Sequence, residues 1–363
     1  MFVVPPRDLL LPVLPLRVGV KLMFPLCRLC ALQSEKGQQI KLDSPLAEWC
    51  QQKHHPLCVH EDENDRGFVI VATHLELNLA LSRGYIVTHC YSVYNWREWS
   101  NELFRPYFRQ MLKIKIESSD WPKSVIGESA ENDENDVALK ERKRNFIEQN
   151  RQVYGIELDE LAFRRNDGMR YISKLCNNSL WGRWGLRTNL TKDLITDNPM
   201  ELHRLLNDPK VECGAVEMFS PKIFAVPYRK HADFVKSHDK YNIILALFTT
   251  AGARKTLYEY MEKVIKAPGH KLLYTDTDSV IYVHPRGIQP PFKVGDYLGQ
   301  MSKEYPDHEI LAYYSGGCKQ YGLKLKNKKT GKIEHMLRCR GCTLDSTNED
   351  QFNFENFKVI LIY

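Results

Sequence analysis

The pattern of apolar and polar positions changes from strand-like to helix-like and back along the chain. Residues 1–25 contain short apolar runs divided by prolines, which is typical of strand fragments. Residues 135–185 contain two helical patterns that predict a helical hairpin, and strand-like pieces follow to about Tyr241. Next, "IILALFTTAGARKTLYEYMEKVIK" has apolar residues every three or four positions, which predicts a long helix ending at the Pro268–Gly269 break.

The stretch "KLLYTDTDSVIYV", residues 271–283, predicts a β-hairpin, because apolar and β-branched residues flank a compact polar break at 275–277. Asp276 and Asp278 are then at the tip of the hairpin. Residues two apart in an extended chain point to the same face, so we expect two carboxylates close together beside a hydrophobic sheet that solvates their charge poorly. This arrangement predicts a divalent cation with oxygen ligands, typically Mg²⁺.

Other interpretations of the two aspartates differ in what they require of the neighbouring sequence. A solvated turn requires only turn-forming residues and stays open as an alternative. A helix–loop–helix calcium site requires Gly and Glu at the sixth and twelfth positions counted from Asp276, where Ile281 and Gly287 stand. An aspartic protease requires a second Asp-Thr or Asp-Ser segment with a following Gly, and the sequence contains none.

Composition is that of a soluble globular protein: the 363 residues are 43% hydrophobic and 26% charged, enough for two or three domains. The net charge of +6 is compatible with nucleic acid without requiring it. The stretch "ESAENDEND" predicts a solvated acidic loop before a polar helix.

Prolines and charges interrupt the apolar N-terminal segment, so neither a transmembrane helix nor a signal peptide is expected. Ten cysteines without a secretory leader predict a reducing, intracellular compartment.

Residues 26–60 are rich in cysteine and histidine. A Cys-x-x-Cys pair, Cys27 and Cys30, is followed at a distance by a Cys-x-His pair, Cys58 and His60. Three thiolates and one imidazole can close a tetrahedral site, so these four residues are predicted to bind Zn²⁺. The alternative is four unlinked residues in a loop. A zinc-dependent binding module is the functional interpretation that rests on this cluster alone.

The helical pattern "DGMRYISKLCNNSLWGRW" carries a polar stripe, because Arg170, Lys174 and Asn178 recur at every fourth position, and Trp181 continues it. Lysine supplies a mobile point charge and arginine a forked donor, and both suit the oxygens of a triphosphate. A solvent-exposed basic face is the alternative. The triphosphate interpretation is favoured by neighbouring apolar residues that are expected to be buried, namely Leu175, Leu180, Trp181 and Trp184.

Three motifs in this order resemble those of family B DNA polymerases. "KLCNNSLWG" resembles their Lys-x-x-x-Asn-Ser-x-Tyr-Gly fingers motif, "YTDTDS" their Tyr-x-Asp-Thr-Asp-Ser palm motif, and "CKQYG" the Lys-x-Tyr element that lies along the primer strand. Four further stretches resemble the protein-primed polymerases of large self-replicating DNA transposons of the Polinton or Maverick type: "VLPLRVGVKLMFPLCRLCA", "LKIKIESSDWP", "FTTAGARKTLYEYMEKV" and "LRCRGCTLD". The resemblance covers nearly the whole chain.

The resemblance implies an α+β fold. Its parts would be an antiparallel palm sheet with helices, helical-hairpin fingers and a partial thumb, without an exonuclease domain. The implied segments are the start of the palm at 1–25, an insertion and palm region that could bind a terminal protein at 26–118, fingers at 119–190, the palm with the "YTDTDS" hairpin at 191–310, and the palm end with the start of the thumb at 311–363.

The implied reaction is in-line attack of a primer 3′-hydroxyl on the α-phosphate of a deoxynucleotide, assisted by two Mg²⁺ ions. Asp278 would be the direct metal ligand and Asp276 its supporting carboxylate. The nucleotide would be bound by Arg170, Lys174, Asn178 and Trp181, the last of which stands where the family pattern has Tyr. The primer would be bound by Tyr274, Lys319 and Tyr321.

The implied partners are a DNA primer-template, deoxynucleotides and a terminal protein that supplies the priming hydroxyl. No membrane is expected, and the location is intracellular, in the nucleus if the host encodes the chain. A family B site also requires the aspartate of an Asp-x-x-Ser-Leu-Tyr-Pro motif, which these residues lack. The sequence thus resembles a polymerase core cut at both ends. Its function is expected to be DNA-directed DNA polymerisation, and the alternative is a non-catalytic remnant that binds primed DNA or nucleotide.

Overall fold

The computed structural model describes residues 1–35, 58, 60–127, 137–235, 241–295, 297–341 and 352–362. The architecture is mixed α+β with antiparallel sheets. Two compact units divide the chain: one comprises residues 89–250, and the other comprises residues 2–88 together with 251–363. The predicted acidic loop at 128–136 lies outside the described residues.

Helices and strands occur throughout both units. The helices are α1 Arg28–Glu35, α2 Glu63–Arg66, α3 His74–Ser82, α4 Arg105–Glu117, α5 Lys123–Ile126, α6 Val137–Tyr154, α7 Asp167–Trp184, α8 Pro199–Leu206, α9 Ile243–Lys266 and α10 Phe354–Ile362. The strands are β1 Phe2–Val4, β2 Leu16–Val18, β3 Lys21–Met23, β4 Phe68–Val69, β5 Ile86–His89, β6 Lys192–Thr196, β7 Val211–Cys213, β8 Glu217–Ser220, β9 Ile223–Lys230, β10 Lys271–Asp276, β11 Ser279–Val283, β12 His308–Gly317, β13 Gln320–Asn327 and β14 Ile333–Arg338.

In the 89–250 unit, helix α7 begins where the sequence pattern predicts, and its first turn is capped by the Asn166 side chain, which accepts from the Met169 amide at 3.0 Å. Its main helix partner is α4. The Arg164 amide donates to the Glu117 carbonyl at 3.2 Å, so the connection before α7 is held at the end of α4. The predicted hairpin of α6 with α7 is therefore wrong in its pairing, because α7 packs on α4 and the segment between α6 and α7 is hydrogen-bonded to the end of α4.

The strand-like pieces predicted before Tyr241 form a four-stranded antiparallel sheet in the same unit. Strand β9 is central: it pairs with β6, β7 and β8, and Leu194 of β6 lies opposite Val226 of β9. Val226 is fully buried, whereas Ile195 of β6 is largely exposed. One face of this sheet thus packs inward and the other meets solvent, as period-two patterning allows.

The core of the second unit is built on the short sheet β4-β1-β5. Phe68 of β4 and Val3 of β1 are paired across the two strands and are almost completely buried. Helix α9 contributes Tyr258, whose hydroxyl donates to the Leu11 carbonyl at 3.0 Å. It ends at Lys266, before Pro268 and the positive-φ Gly269, as the sequence predicts.

A second sheet in this unit, β12-β13-β14, is a continuous antiparallel meander. Leu323 and Leu325 of β13 are buried in it, and α10 packs on the sheet through Phe354. A Cβ at Gly322 would lie 3.0 Å from the Phe354 ring, so this close approach of helix and strand favours glycine. The basic stretch "LKLKNKKTGK", residues 323–332, forms the end of β13 and the turn that leads into β14.

Candidate metal and phosphate sites

The predicted hairpin at 271–283 is present as β10 and β11, with Asp276 opposite Ser279 and a two-residue loop of Thr277 and Asp278. The polar break is therefore one residue further along than the predicted 275–277. Thr277 has φ 55°, and the Asp278 amide donates to the Asp276 carbonyl at 2.6 Å. Because the chain reverses between the two aspartates, they do not share a face of extended chain, contrary to the prediction.

Asp276 lies at the end of β10 and already has a cationic partner. The Lys319 ammonium donates to both of its carboxylate oxygens at 2.7 Å, and the Thr277 hydroxyl donates to Oδ1 at 3.0 Å. The hydrogen bond from Lys319 lowers the pKa of Asp276, and the same contact raises the pKa of Lys319. Asp278, in the loop, is exposed. The cation expected beside these carboxylates is thus supplied at Asp276 by the chain itself.

A second hairpin tip brings Lys319 to this position. Strands β12 and β13 are joined at Cys318 and Lys319, with Gly317 opposite Gln320. Lys319 has φ 59°, and its amide donates to the Tyr274 hydroxyl at 2.9 Å. The two tips, 276–279 and 317–320, are hereafter called the two-hairpin cluster.

Three tyrosines pack beneath the two-hairpin cluster. The Tyr274 ring centroid lies 5.1 Å from that of Tyr321 and 6.3 Å from that of Tyr313. Burial raises the pKa of Tyr313 and of Tyr321, so both hydroxyls stay protonated at neutral pH. The hairpin and primer residues predicted from the sequence are all brought together here: Tyr274, Asp276, Asp278, Lys319 and Tyr321.

Strand β10 also forms one wall of a cavity of about 390 Å³. The other walls come from residues 11–13 and from α3 and α9, and most of the lining is apolar. Its main polar feature is the nearly buried Glu76 carboxylate, which accepts from Arg254 Nε at 2.8 Å. The sequence offers no signal for this cavity, because its walls come from separate segments.

The predicted polar stripe lies on an exposed face of α7, where Arg170, Lys174, Asn178 and Trp181 are all exposed. The expected burial of the neighbouring apolar residues is wrong: Leu175 is 51% exposed and Trp181 is 42% exposed, while Leu180 and Trp184 are half-buried. The face of α7 that meets α4 is instead centred on Ser173, the helix's buried residue, and on Cys176, whose carbonyl accepts from the Tyr107 hydroxyl at 3.1 Å.

A third cation, Lys115 of α4, belongs to the same surface and was missed by sequence reasoning. Burial lowers the pKa of Lys115, and the positive charges of Lys174 and Arg170 lower it further. Like charges near one another favour an anion, and a phosphate group is one that lysine and arginine bind well. Nothing in the local sequence "LKIKIES" distinguishes Lys115. Arg170 and Lys174 come near it only because α7 packs on α4. These three residues are hereafter called the three-cation cluster.

The predicted cysteine and histidine ligands meet in one place in the second unit. Cys27 and Cys30 are one turn apart at the start of α1, while Cys58 and His60 precede α2, whose N-cap Asp62 accepts from the Asn64 amide at 2.8 Å. The ligand atoms of the four residues all lie within 4.8 Å of one another. This group is hereafter called the Cys3His site.

The spacing of these atoms matches tetrahedral coordination. His60 Nδ1 lies 3.5 Å from Cys27 Sγ, 3.4 Å from Cys30 Sγ and 3.8 Å from Cys58 Sγ. A tetrahedral ion with Zn–S bonds of about 2.3 Å and Zn–N bonds of about 2.0 Å gives S···N distances of about 3.5 Å. The Cys3His site could therefore hold a metal such as zinc with little movement of its ligands.

The three thiols of the Cys3His site differ in their electrostatics. A hydrogen bond from Cys30 lowers the pKa of Cys27, whereas the pKa values of Cys30 and Cys58 are raised, the latter by burial. One thiolate is thus already stabilised, and a divalent ion would stabilise the others. Helix α2, which follows His60, is held by Arg66, a buried residue whose guanidinium donates to the Pro5 carbonyl at 2.8 Å.

No protein-family model, curated protein or solved structure matches this chain. Among the helices in the described part of the chain, none has the length and apolar character needed to cross a membrane. The function of the chain is therefore inferred from its own residues.

Proposed function

We propose that this chain is the polymerase core of a protein-primed, family B DNA-directed DNA polymerase of the Polinton or Maverick type. The supporting observation is the two-hairpin cluster. Its acidic tip comes from "YTDTDS" and its basic tip from "CKQYG", motifs about 40 residues apart in sequence. Such a polymerase requires its metal-binding carboxylates and its primer-binding residues at one place. The sheets and helices around the cluster would be the palm.

The carboxylates of the cluster suit Mg²⁺ as a cofactor. Asp276 holds a cation through both oxygens, and Asp278 is an exposed carboxylate two residues away, so the donor set consists of hard oxygen ligands. Mg²⁺ is usually held by one or two carboxylates together with water and substrate phosphates. Asp278 would be the direct ligand and Asp276 the supporting one. When bound, the two ions activate the primer hydroxyl and neutralise the leaving phosphates.

The chain's other residues would bind and orient the substrates. Lys319 and Tyr321 would hold the primer terminus, and the lysines of the β13–β14 hairpin would contact backbone phosphates, which carry no sequence information. The three-cation cluster would bind the triphosphate of the incoming deoxynucleotide. Asn178 and Trp181 would complete that surface, with Trp181 packing on the base.

The remaining assignments concern partners, the second metal and location. We propose Zn²⁺ as a structural metal in the Cys3His site, because thiolate and imidazole ligands select zinc over hard cations. The region 26–118 would bind a terminal protein whose hydroxyl primes synthesis. Replication of a mobile element would place the chain with DNA inside the cell, in the nucleus if the host encodes it.

A second candidate function is a non-catalytic protein that binds primed DNA or nucleotide. The observation that favours it is the Asp276–Lys319 ion pair, since a carboxylate neutralised by lysine does not need a metal ion for charge balance. Exposed basic residues of the β13–β14 hairpin would still attract a phosphate backbone.

Primer extension by the purified chain separates the two candidates. With Mg²⁺ and deoxynucleotides, extension by the wild type would support the polymerase proposal and would mean that another carboxylate replaces the absent Asp-x-x-Ser-Leu-Tyr-Pro aspartate. Asp278→Asn should then lose extension at least about a thousandfold, the order of effect seen when a group of a catalytic unit is removed. The matched control is Asp193→Asn, an exposed aspartate on β6, which should leave extension unchanged. Binding of primed DNA without extension in the wild type would contradict the polymerase proposal and support the second candidate.

A further inference from the structure

We infer that Lys319 is an exchangeable counter-ion: its ammonium holds Asp276 until a divalent cation binds, and the incoming ion displaces it. This inference deepens the proposed function and rests on it for the identity of the ion. It gives Lys319 a role toward the metal site that is distinct from contact with the primer. Lys319 would therefore be a positioning residue as well as a substrate-binding one.

The contacts of Lys319 separate the fixed part of the residue from its movable part. The backbone is held by the hairpin turn and by the amide that donates to the Tyr274 hydroxyl at 2.9 Å. The side chain reaches Asp276 and places Nζ 2.7 Å from each carboxylate oxygen, while 54% of it remains exposed to solvent. The ammonium can therefore leave Asp276 without disturbing the turn that carries it.

Competition follows from the shared oxygens. A divalent ion on Asp276 and the Lys319 ammonium need the same lone pairs, and two cations at that separation repel each other. The hydroxyl of Thr277 donates only to Oδ1, so a change of cation at Asp276 leaves one fixed hydrogen bond that keeps the carboxylate oriented. The carboxylate is thus kept in position in both states.

Exchange would couple two events of the proposed reaction. Once displaced, the ammonium of Lys319 is a free positive charge one hairpin turn away from Asp276, suited to a primer phosphate. The chain would then hold the primer terminus most strongly after the metal has bound. Without the metal, the ammonium is occupied and the carboxylate is kept from repelling the DNA backbone.

Binding of Mn²⁺, a spectroscopically visible substitute for Mg²⁺, tests the exchange on the full chain. Electron paramagnetic resonance titration should show Mn²⁺ binding about fivefold to tenfold tighter in Lys319→Met than in the wild type, because a competing cation is removed. Lys326→Met is the matched control, since it removes one positive charge from an exposed position of the same strand, and its affinity should change less than about twofold. Equal affinity in the two variants would refute the inference.

A second measurement uses the unmodified chain and does not depend on any variant folding. Acylation of lysine amines, followed by peptide mass spectrometry, should show that Mg²⁺ increases the reactivity of Lys319 relative to Lys326. An unchanged ratio at saturating Mg²⁺ would also overturn the exchange. Both readouts are independent of synthesis. If exchange is observed and primer extension is not, the inference stands and the polymerase proposal fails; if extension occurs without exchange, the reverse holds.

Discussion

Loss of metal from the Cys3His site is expected to destabilise the unit formed by residues 2–88 and 251–363. The S···N distances of 3.4, 3.5 and 3.8 Å are within about 0.3 Å of tetrahedral zinc coordination, so little binding energy is used to rearrange the ligands. With free zinc a thousandfold above its Kd, linkage gives a stabilisation of about 4.1 kcal/mol. For a unit of this size, each kcal/mol shifts the melting temperature by about 2–4 °C, so chelation should lower it by about 8–16 °C.

Metal content and thermal unfolding together test this expectation. The purified wild type should contain one zinc per chain by atomic absorption, and Cys58→Ser should contain less and melt at the temperature of the chelated wild type. Cys90→Ser is the matched control, because Cys90 is exposed and lies outside the site; it should keep both the metal and the melting temperature. Zinc-free wild-type protein that neither binds added zinc nor changes its melting temperature would refute the reasoning.

Three further expectations concern the ion pairs, the three-cation cluster and the core. Arg83 donates two hydrogen bonds of 2.7 Å to Glu262 and lowers the pKa of that carboxyl, so the unfolded state binds more protons than the folded state. Glu262→Gln should therefore lower the free energy of unfolding by about 1.5 kcal/mol at pH 7. In urea denaturation, this difference from the wild type should disappear as the pH falls below about 4.5. A difference that persists at low pH would contradict this. Lys115→Met and Lys174→Met should each weaken deoxynucleotide binding about tenfold in fluorescence titration. Lys192→Met, at an exposed position, is the control and should bind as the wild type does. Unchanged binding by Lys115→Met would exclude that residue from the function of the three-cation cluster. Phe68→Ala should cost about 3–5 kcal/mol in urea denaturation because Phe68 is 1% exposed, and Val69→Ala, at a largely exposed position, should cost under about 0.5 kcal/mol; similar costs would refute the assigned core.

Local signals in the sequence were sufficient for individual elements. The apolar period and the Pro-Gly stop predict α9, and β-branched residues around a short polar break predict the β10–β11 hairpin to within one residue of its loop. Metal ligands were also predictable, because the Cys-x-x-Cys and Cys-x-His spacings are local, although their meeting in space depends on the fold.

Relations between distant segments could not be predicted in the same way. The partner of α7 is α4 rather than α6, and this pairing involves hydrogen bonds from the segment before α7 to the end of α4. Lys115 joins Arg170 and Lys174 only through that packing, so no spacing in the sequence reveals it. The ion pair of Asp276 with Lys319 joins residues 43 positions apart, and the sequence analysis assigned the same charge balance to a metal ion.

The backbone of the two-hairpin cluster has a consequence for engineering this protein. Thr277 and Lys319 adopt left-handed φ values of 55° and 59°, a conformation that costs a non-glycine residue about 1–2 kcal/mol. Glycine at either position would remove that cost, so a screen for thermal tolerance would select it. The selected variants would lose the hydroxyl and the ammonium that now contact Asp276. At these two turns, higher thermal stability and a functional cluster thus require different residues. Engineering of this chain for stability should therefore leave Thr277 and Lys319 unchanged.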